Sequence, residues 1–124
     1  MTVTAGSSEI RGLVINRFTG HGIHLKTAGD NIVECNFIGL NVAGTADLGN
    51  GLHGVFVDNT ANNRIGGDTR ASRNVISGNE QAGVSIVGRQ ATGNRVLGNF
   101  IGTDATGSQA LGNDEGVEIY NASN

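Results

Sequence analysis

Four copies of a Gly-apolar-x-apolar tetrad run through the chain: Gly22-Ile23-His24-Leu25, Gly54-Val55-Phe56-Val57, Gly83-Val84-Ser85-Ile86 and Gly116-Val117-Glu118-Ile119. They stand 32, 29 and 33 residues apart. A short strand that returns at a near-constant interval, with no helical period between copies, buries its apolar side only by resting on the copy before it. The spacing therefore predicts a solenoid. An Asn closes the segment after each tetrad, at Asn31, Asn63, Asn94 and Asn124, and a second Asn precedes three of them, at Asn50, Asn79 and Asn113. Asn tolerates left-handed backbone and bonds nearby main-chain groups, so it suits the corner between two strands. Repeated in every coil, the amides at Asn31, Asn63, Asn94 and Asn124 are expected to form an internal structural ladder.

A longer period overlies the first. Asn31 to Gly39 matches Asn94 to Gly102 at an offset of 63 residues, the loops behind them match as Ala43-Gly44-Thr45 and Thr106-Gly107-Ser108, and Val14-Ile15-Asn16 matches Val75-Ile76-Ser77. The repeating unit is a pair of coils. The 21 Gly, the absence of Pro and Trp and the presence of only four Phe describe a chain that turns often and packs small aliphatic residues. Val and Ile dominate the apolar set, as pleated strands prefer, and the Gly spacing leaves no helical stretch. The expected fold is all-β, a right-handed parallel β-helix of about four coils. It forms a single domain over 1–124, with coils at roughly 1–30, 31–62, 63–93 and 94–124 and a stack roughly 15–20 Å tall.

Side chains alternate across a strand, so each tetrad sends its two apolar residues inward. The inward columns read Ile23, Val55, Val84, Val117 and Leu25, Val57, Ile86, Ile119, all eight expected to be buried. The outward columns read His24, Phe56, Ser85, Glu118 and Lys26, Asp58, Val87, Tyr120, without the uniform residue type that a repetitive ligand selects. Lys26 and Asp58 are expected to be neighbours on adjacent coils. A third column holds Ile32, Arg64 and Arg95, in which the two guanidinium groups suit a carboxylate or sulfated sugar. Arg64, Arg95, Phe56 and Tyr120 are thus the candidate ligand surface. His21 and His53 both precede a tetrad and are expected one above the other, but the next coils offer Ala82 and Glu115, so no metal set is complete. No catalytic residue, cofactor site or metal site is assigned.

The net charge of −3 and the pI near 5.4 provide no basic field for a phosphate backbone, which argues against nucleic acid as a partner. The single Cys35 has no disulfide partner within the chain, and its expected place is tucked into a coil where the paired repeat has Gly98. The start of the chain lacks the basic and apolar regions of a signal peptide, and no long apolar run predicts a membrane span. Localisation is unassigned for this chain.

The phrases Asn63-Arg64-Ile65-Gly66-Gly67, Asn74-Val75-Ile76-Ser77-Gly78-Asn79 and Asn99-Phe100-Ile101-Gly102-Thr103-Asp104-Ala105-Thr106-Gly107 resemble repeats of right-handed parallel β-helix proteins of the pectin-lyase-like superfamily. The long arrays in bacterial secreted and surface proteins are the nearest in style, and the resemblance runs from about residue 10 to the end. It implies a β-helix whose parent is secreted or at the cell surface. Fold alone does not choose among the superfamily's lyases, hydrolases, epimerases, adhesins and spacers. Gly20-His21-Gly22 is similar to the short His motif of its inverting polygalacturonases, which also need clustered aspartates. Here Asp58 and Glu118 are two coils apart, Asp114-Glu115 are neighbours on a corner, and Asp104 is a lone carboxylate in its loop, a poor calcium site. The expected function is a non-catalytic structural or adhesive repeat module, not an enzyme; the alternative is a β-helix that binds or processes a polysaccharide. End coils present unpaired strand edges, so a homo-oligomer through coil ends is expected, most simply through C-terminal faces around Val117 and Ile119.

Overall fold

The computed structural model describes residues 1–122, and the expected ladder member Asn124 lies outside them. The described residues form thirteen short strands in three parallel sheets. The first sheet stacks β1 (Thr2–Val3), β4 (Ile23–Lys26), β7 (Val55–Asp58), β10 (Ala82–Val87) and β13 (Glu115–Tyr120) in that order. The second stacks β2 (Glu9–Arg11), β5 (Ile32–Glu34), β8 (Arg64–Gly66) and β11 (Arg95–Leu97). The third stacks β3 (Val14–Ile15), β6 (Phe37–Ile38), β9 (Val75–Ile76) and β12 (Phe100–Ile101). Successive neighbours in each sheet come from successive coils, which is a parallel β-helix. A 3-10 turn at Arg70–Ser72 is its one helical element among the described residues, and no helix there is long and apolar enough to cross a membrane.

The tetrads set the register. Ile23, Val55, Val84 and Val117 are paired in line, as are Leu25, Val57, Ile86 and Ile119. Six of these eight side chains are buried, but Val117 is 46% exposed and Ile119 57% exposed. The expectation that all eight are enclosed fails at β13, the edge strand of its sheet, because among the described residues no further strand covers it. Ile10, Val33 and Ile65 from the second sheet and Ile15, Ile38 and Ile76 from the third complete the core.

Three Asn ladders run up the corners. Asn31 donates to Asn63 Oδ1 and Asn63 to Asn94 Oδ1, each at 2.9 Å, as the tetrad register predicts. A second ladder joins Asn50, Asn79 and Asn113 at 2.8 Å per step. A third joins Asn36, Asn74 and Asn99 at 3.0 and 2.9 Å. In each, the Oδ1 also accepts the backbone N–H of the Asn one coil earlier. Buried amides bonded in this way avoid the penalty of unsatisfied polar groups and lock coil to coil.

The two-coil unit appears in the loops. Leu40 bridges Asp47 and Thr103 bridges Ala110, making two small hairpins. The coil between them turns tightly at Ser77–Asn79, so the hairpins meet directly, with Ala105 N–H on Gly44 O at 2.8 Å. Gly44 lies against the Phe37 ring and Gly107 against the Phe100 ring, where any side chain would collide. Cys35 is exposed rather than tucked in, on a corner with φ of +59°. Gly12 and Gly98 turn the chain at the same kind of corner with φ of +69° and +60°. The left-handed backbone aims the Cys35 side chain away from the core.

Candidate functional site

The outer face of the first sheet gathers three histidines around Phe56. His21 stacks on His53 with ring centroids 5.2 Å apart and planes 6° from parallel, as their common place before a tetrad predicts. Phe56 lies 4.6 Å from His21, 5.0 Å from His24 and 5.3 Å from His53. Burial holds the His21 imidazole down to a pKa of about 4, helped by its neighbours His53 and His24 and by the terminal ammonium, with Asp58 opposing. His21 is therefore neutral at pH 7, and its Nδ1 is enclosed without a hydrogen-bond partner. Burial also lowers the pKa of His53 against the pull of Glu118 and Glu115. Lys26 and Asp58 are in register as expected, but the Asp58 carboxylate meets His24 Nε2 at 3.2 Å.

Beside this stack a cleft of about 310 Å³ is lined by His53, Gln81, Ala82, Asp114, Glu115 and Glu118. Ala82 is the residue between His53 and Glu115 in the column, and its small side chain leaves the space open. Ala82 N–H donates to His53 Nδ1 at 3.2 Å, which makes that nitrogen the acceptor and places the proton of the neutral ring on Nε2. Glu118 accepts a 2.7 Å bond from Ser85 Oγ. Polar and acidic, the cleft suits a polyhydroxylated or cationic group. Asp114 and Glu115, neighbours on a corner, reach this cleft because Glu115 stands in the column of His53, two rungs on.

The four candidate ligand residues do not form one site. Arg64 and Arg95 are paired in the second sheet, whereas Phe56 and Tyr120 belong to the first, on rungs separated by β10. Arg64 Nη2 lies 3.1 Å from Glu34 Oε2, and Arg11 Nη2 lies 2.9 Å from Glu34 Oε1. The Arg64 contact is a charge contact outside hydrogen-bond alignment, since Oε2 accepts no bond. Glu34, only 6% exposed, thus engages two arginines across three coils. Arg95 projects into solvent on the last rung of that sheet. Tyr120 is 61% exposed.

Asp104 organises its own hairpin. Its Oδ1 accepts the N–H groups of Thr106, Ser108 and Gln109 at 3.0–3.2 Å and the Thr106 hydroxyl at 2.8 Å. Burial would raise its pKa, but these bonds outweigh that and lower it. Asn41, 63 residues earlier, plays the same part toward Thr45 and Ala46. Among the described residues no three His, Cys, Asp or Glu side chains converge to hold a metal.

The outer face of the third sheet is apolar, a feature not expected from the tetrads. Val14, Phe37, Val75 and Phe100 form one column, with the Arg73 guanidinium 4.0 Å over the Phe100 ring. The repeated Asn-Phe-Ile-Gly phrase carried the signal, because an inward Ile forces its Phe neighbour outward.

Comparison with protein-family models, curated proteins and solved structures gives no match, so the functional reading rests on this chain's own residues.

Proposed function

We propose that this chain is a non-catalytic structural or adhesive β-helix module, a rod segment of the kind found in larger bacterial secreted or surface proteins, related to the pectin-lyase-like superfamily. The observation that carries the reading is the direction of its internal bonding. Three Asn ladders, three parallel sheets and the Arg11–Glu34–Arg64 bridge all run along the stack axis. The carboxylates of Asp58 and Asp104 hold local structure.

The polysaccharide reading has one observation in its favour, the acidic cleft beside Phe56. A glycan array together with product-release assays on polygalacturonate and alginate, with and without calcium, separates the two. The structural reading expects neither retention nor product. Retention lost in Phe56→Ala, or product lost in Asp58→Ala or Glu118→Ala, would overturn it.

A further inference from the structure

We infer that a cleft within the stack, on the outer side of the third sheet, binds a small carboxylate carried on an apolar body, a short-chain or one-ring acid. The cleft lies on a different face from the acidic one beside Phe56, and it adds a ligand to the structural reading above without depending on it.

The chain departs from its own repeat at this place. It passes from the second sheet to the third through residues 12–13, 35–36 and 98–99, but β8 reaches β9 only through 67–74. The extra residues form the 3-10 turn Arg70–Ser72, which buries none of its side chains. Insertions into a solenoid gather on one face, often the binding face, and this one adds nothing to the core.

The insertion borders a cleft of about 210 Å³ lined by Cys35, Phe37, Arg70, Arg73, Val75 and Ala105. Phe37 comes from one coil, both arginines and Val75 from the next, and Ala105 from the hairpin of the coil after that. Described coils therefore wall it on both sides, and it belongs to the body of the stack. Phe37 and Val75 are paired in register and make an apolar floor.

The walls carry two positive charges and no negative one. Among the described residues no carboxylate comes within ion-pair distance of Arg70 or Arg73, whereas Glu34 takes both Arg11 and Arg64. A 3-10 turn sets side chains three residues apart on one side, so the two arginines stand together. Arg73 is fixed, with Nε donating to Gly98 O at 2.9 Å and the guanidinium 4.0 Å over the Phe100 ring. A guanidinium already held in place loses little further freedom when it meets an anion. Latching the insertion to the next coil accounts for Arg73 alone. Arg70 is exposed, lines the cleft and makes no side-chain hydrogen bond among the described residues.

This pairing of charge and floor selects the ligand. Guanidinium forks match a carboxylate, and Phe37 and Val75 favour hydrocarbon behind it. A bare inorganic anion would gain nothing from that floor. The volume falls below the about 300–1,000 Å³ of sites for drug-sized ligands, so the apolar body is a short chain or a single ring.

The test uses the full chain, with its single Cys35 as a reporter on the cleft wall. Alkylation by iodoacetamide is timed during titration with hexanoate. Hexanamide supplies the same body without the charge, and galacturonate and inorganic phosphate supply charge without the body. Hexanoate should slow alkylation saturably, and the other three should not at the same concentrations. Amide shifts of Val75 and Ala105 should follow the hexanoate curve, with those of β4 and β7 unmoved. Arg70→Gln, its folding checked by circular dichroism, should bind hexanoate about tenfold more weakly, the scale of one lost hydrogen bond to a charged group. Arg89→Gln, on the exposed turn after β10, should bind as the unaltered chain does. Absent or unsaturable protection, equal protection by hexanamide, galacturonate or phosphate, or full affinity in Arg70→Gln would each sink the inference. The ligand series on the unaltered chain decides the matter even if Arg70→Gln does not fold. A glycan bound at the Phe56 face or a released product would refute the rod reading and leave this result intact.

Discussion

The two ends of the stack are built from the same three sheets, yet they treat their apolar residues differently. At the N-terminal end Ile10 and Ile15 are 7% and 5% exposed. There the ladders finish on backbone donors, with the N–H groups of Ser8, Leu13 and Phe18 bonding Asn31, Asn36 and Asn50 Oδ1. At the C-terminal end Val117 and Ile119 keep about half their surface in water. The residue types are the same at both ends. Residue type therefore does not set burial at the end of a solenoid: Ile10 and Ile15 stand on the end strands β2 and β3 and are enclosed, whereas Val117 and Ile119 on the end strand β13 are not.

Truncation across the stack should expose this difference most sharply. Ile86 is enclosed by rungs on both sides, so Ile86→Ala should cost about 2–5 kcal/mol by denaturant unfolding. Ile119→Ala, measured on dilute monomer, should cost under about 1 kcal/mol. Equal losses would mean that the C-terminal face is covered in solution.

The ladders offer the next contrast. Asn74→Ala would strip the acceptor from Asn36 and the donor from Val33 O and Asn99. At about 1–3 kcal/mol for a buried group left unsatisfied, a total loss of about 2–4 kcal/mol is expected. Asn113 accepts from Asn79 and donates to Ile76 O but is only half-buried and has no described Asn beyond it, so Asn113→Ala should lose less. A ladder whose end residue matters as much as its middle would break the comparison.

The smallest effect is the pH response of the N-terminal end. His21 has a pKa of about 4 in the fold against 6.5 in an unfolded chain. Between those values the unfolded chain binds a proton that the folded one refuses, so the His21 contribution to stability is lost as pH drops through this window and is gone below about 4, where loss of the Asp104 contribution follows. Thermal midpoints of His21→Gln should fall less steeply over the same range, with His53 supplying the remaining slope. Hydrogen exchange at pH 5 should quicken in β1 and β4 before β7 and β10; uniform exchange would show that the histidine stack does not govern that end.

Much of this was legible without coordinates. The tetrads fixed the inward columns and their register because strand alternation is strict and a slip by one residue would turn every Val and Ile outward. The ladder through Asn31, Asn63 and Asn94 and the His21–His53 stack followed from the same spacing. The ladder through Asn36, Asn74 and Asn99 was harder to see, since its steps of 38 and 25 residues are distorted by the hairpin at Leu40–Asp47 and the insertion around Arg70–Ser72. Only the repeated Asn-apolar-Ile phrase marks it.

The sequence by itself thus determined the repeat, the tetrad columns and the six tetrad side chains that are buried, because those depend on local geometry and the side-chain period, whereas the core residues of the second and third sheets emerged only in three dimensions. Tertiary structure alone decided which carboxylate meets which cation. Asp58 chose His24 over Lys26, Glu34 took both Arg11 and Arg64, and Glu115 joined His53 across the gap left by Ala82. Long polar side chains reach several partners at nearly equal cost, and the choice depends on loop lengths and burial that no column of letters contains. The exposure of Val117 and Ile119 is of the same kind, since whether an aliphatic residue is core depends on what lies above it in space.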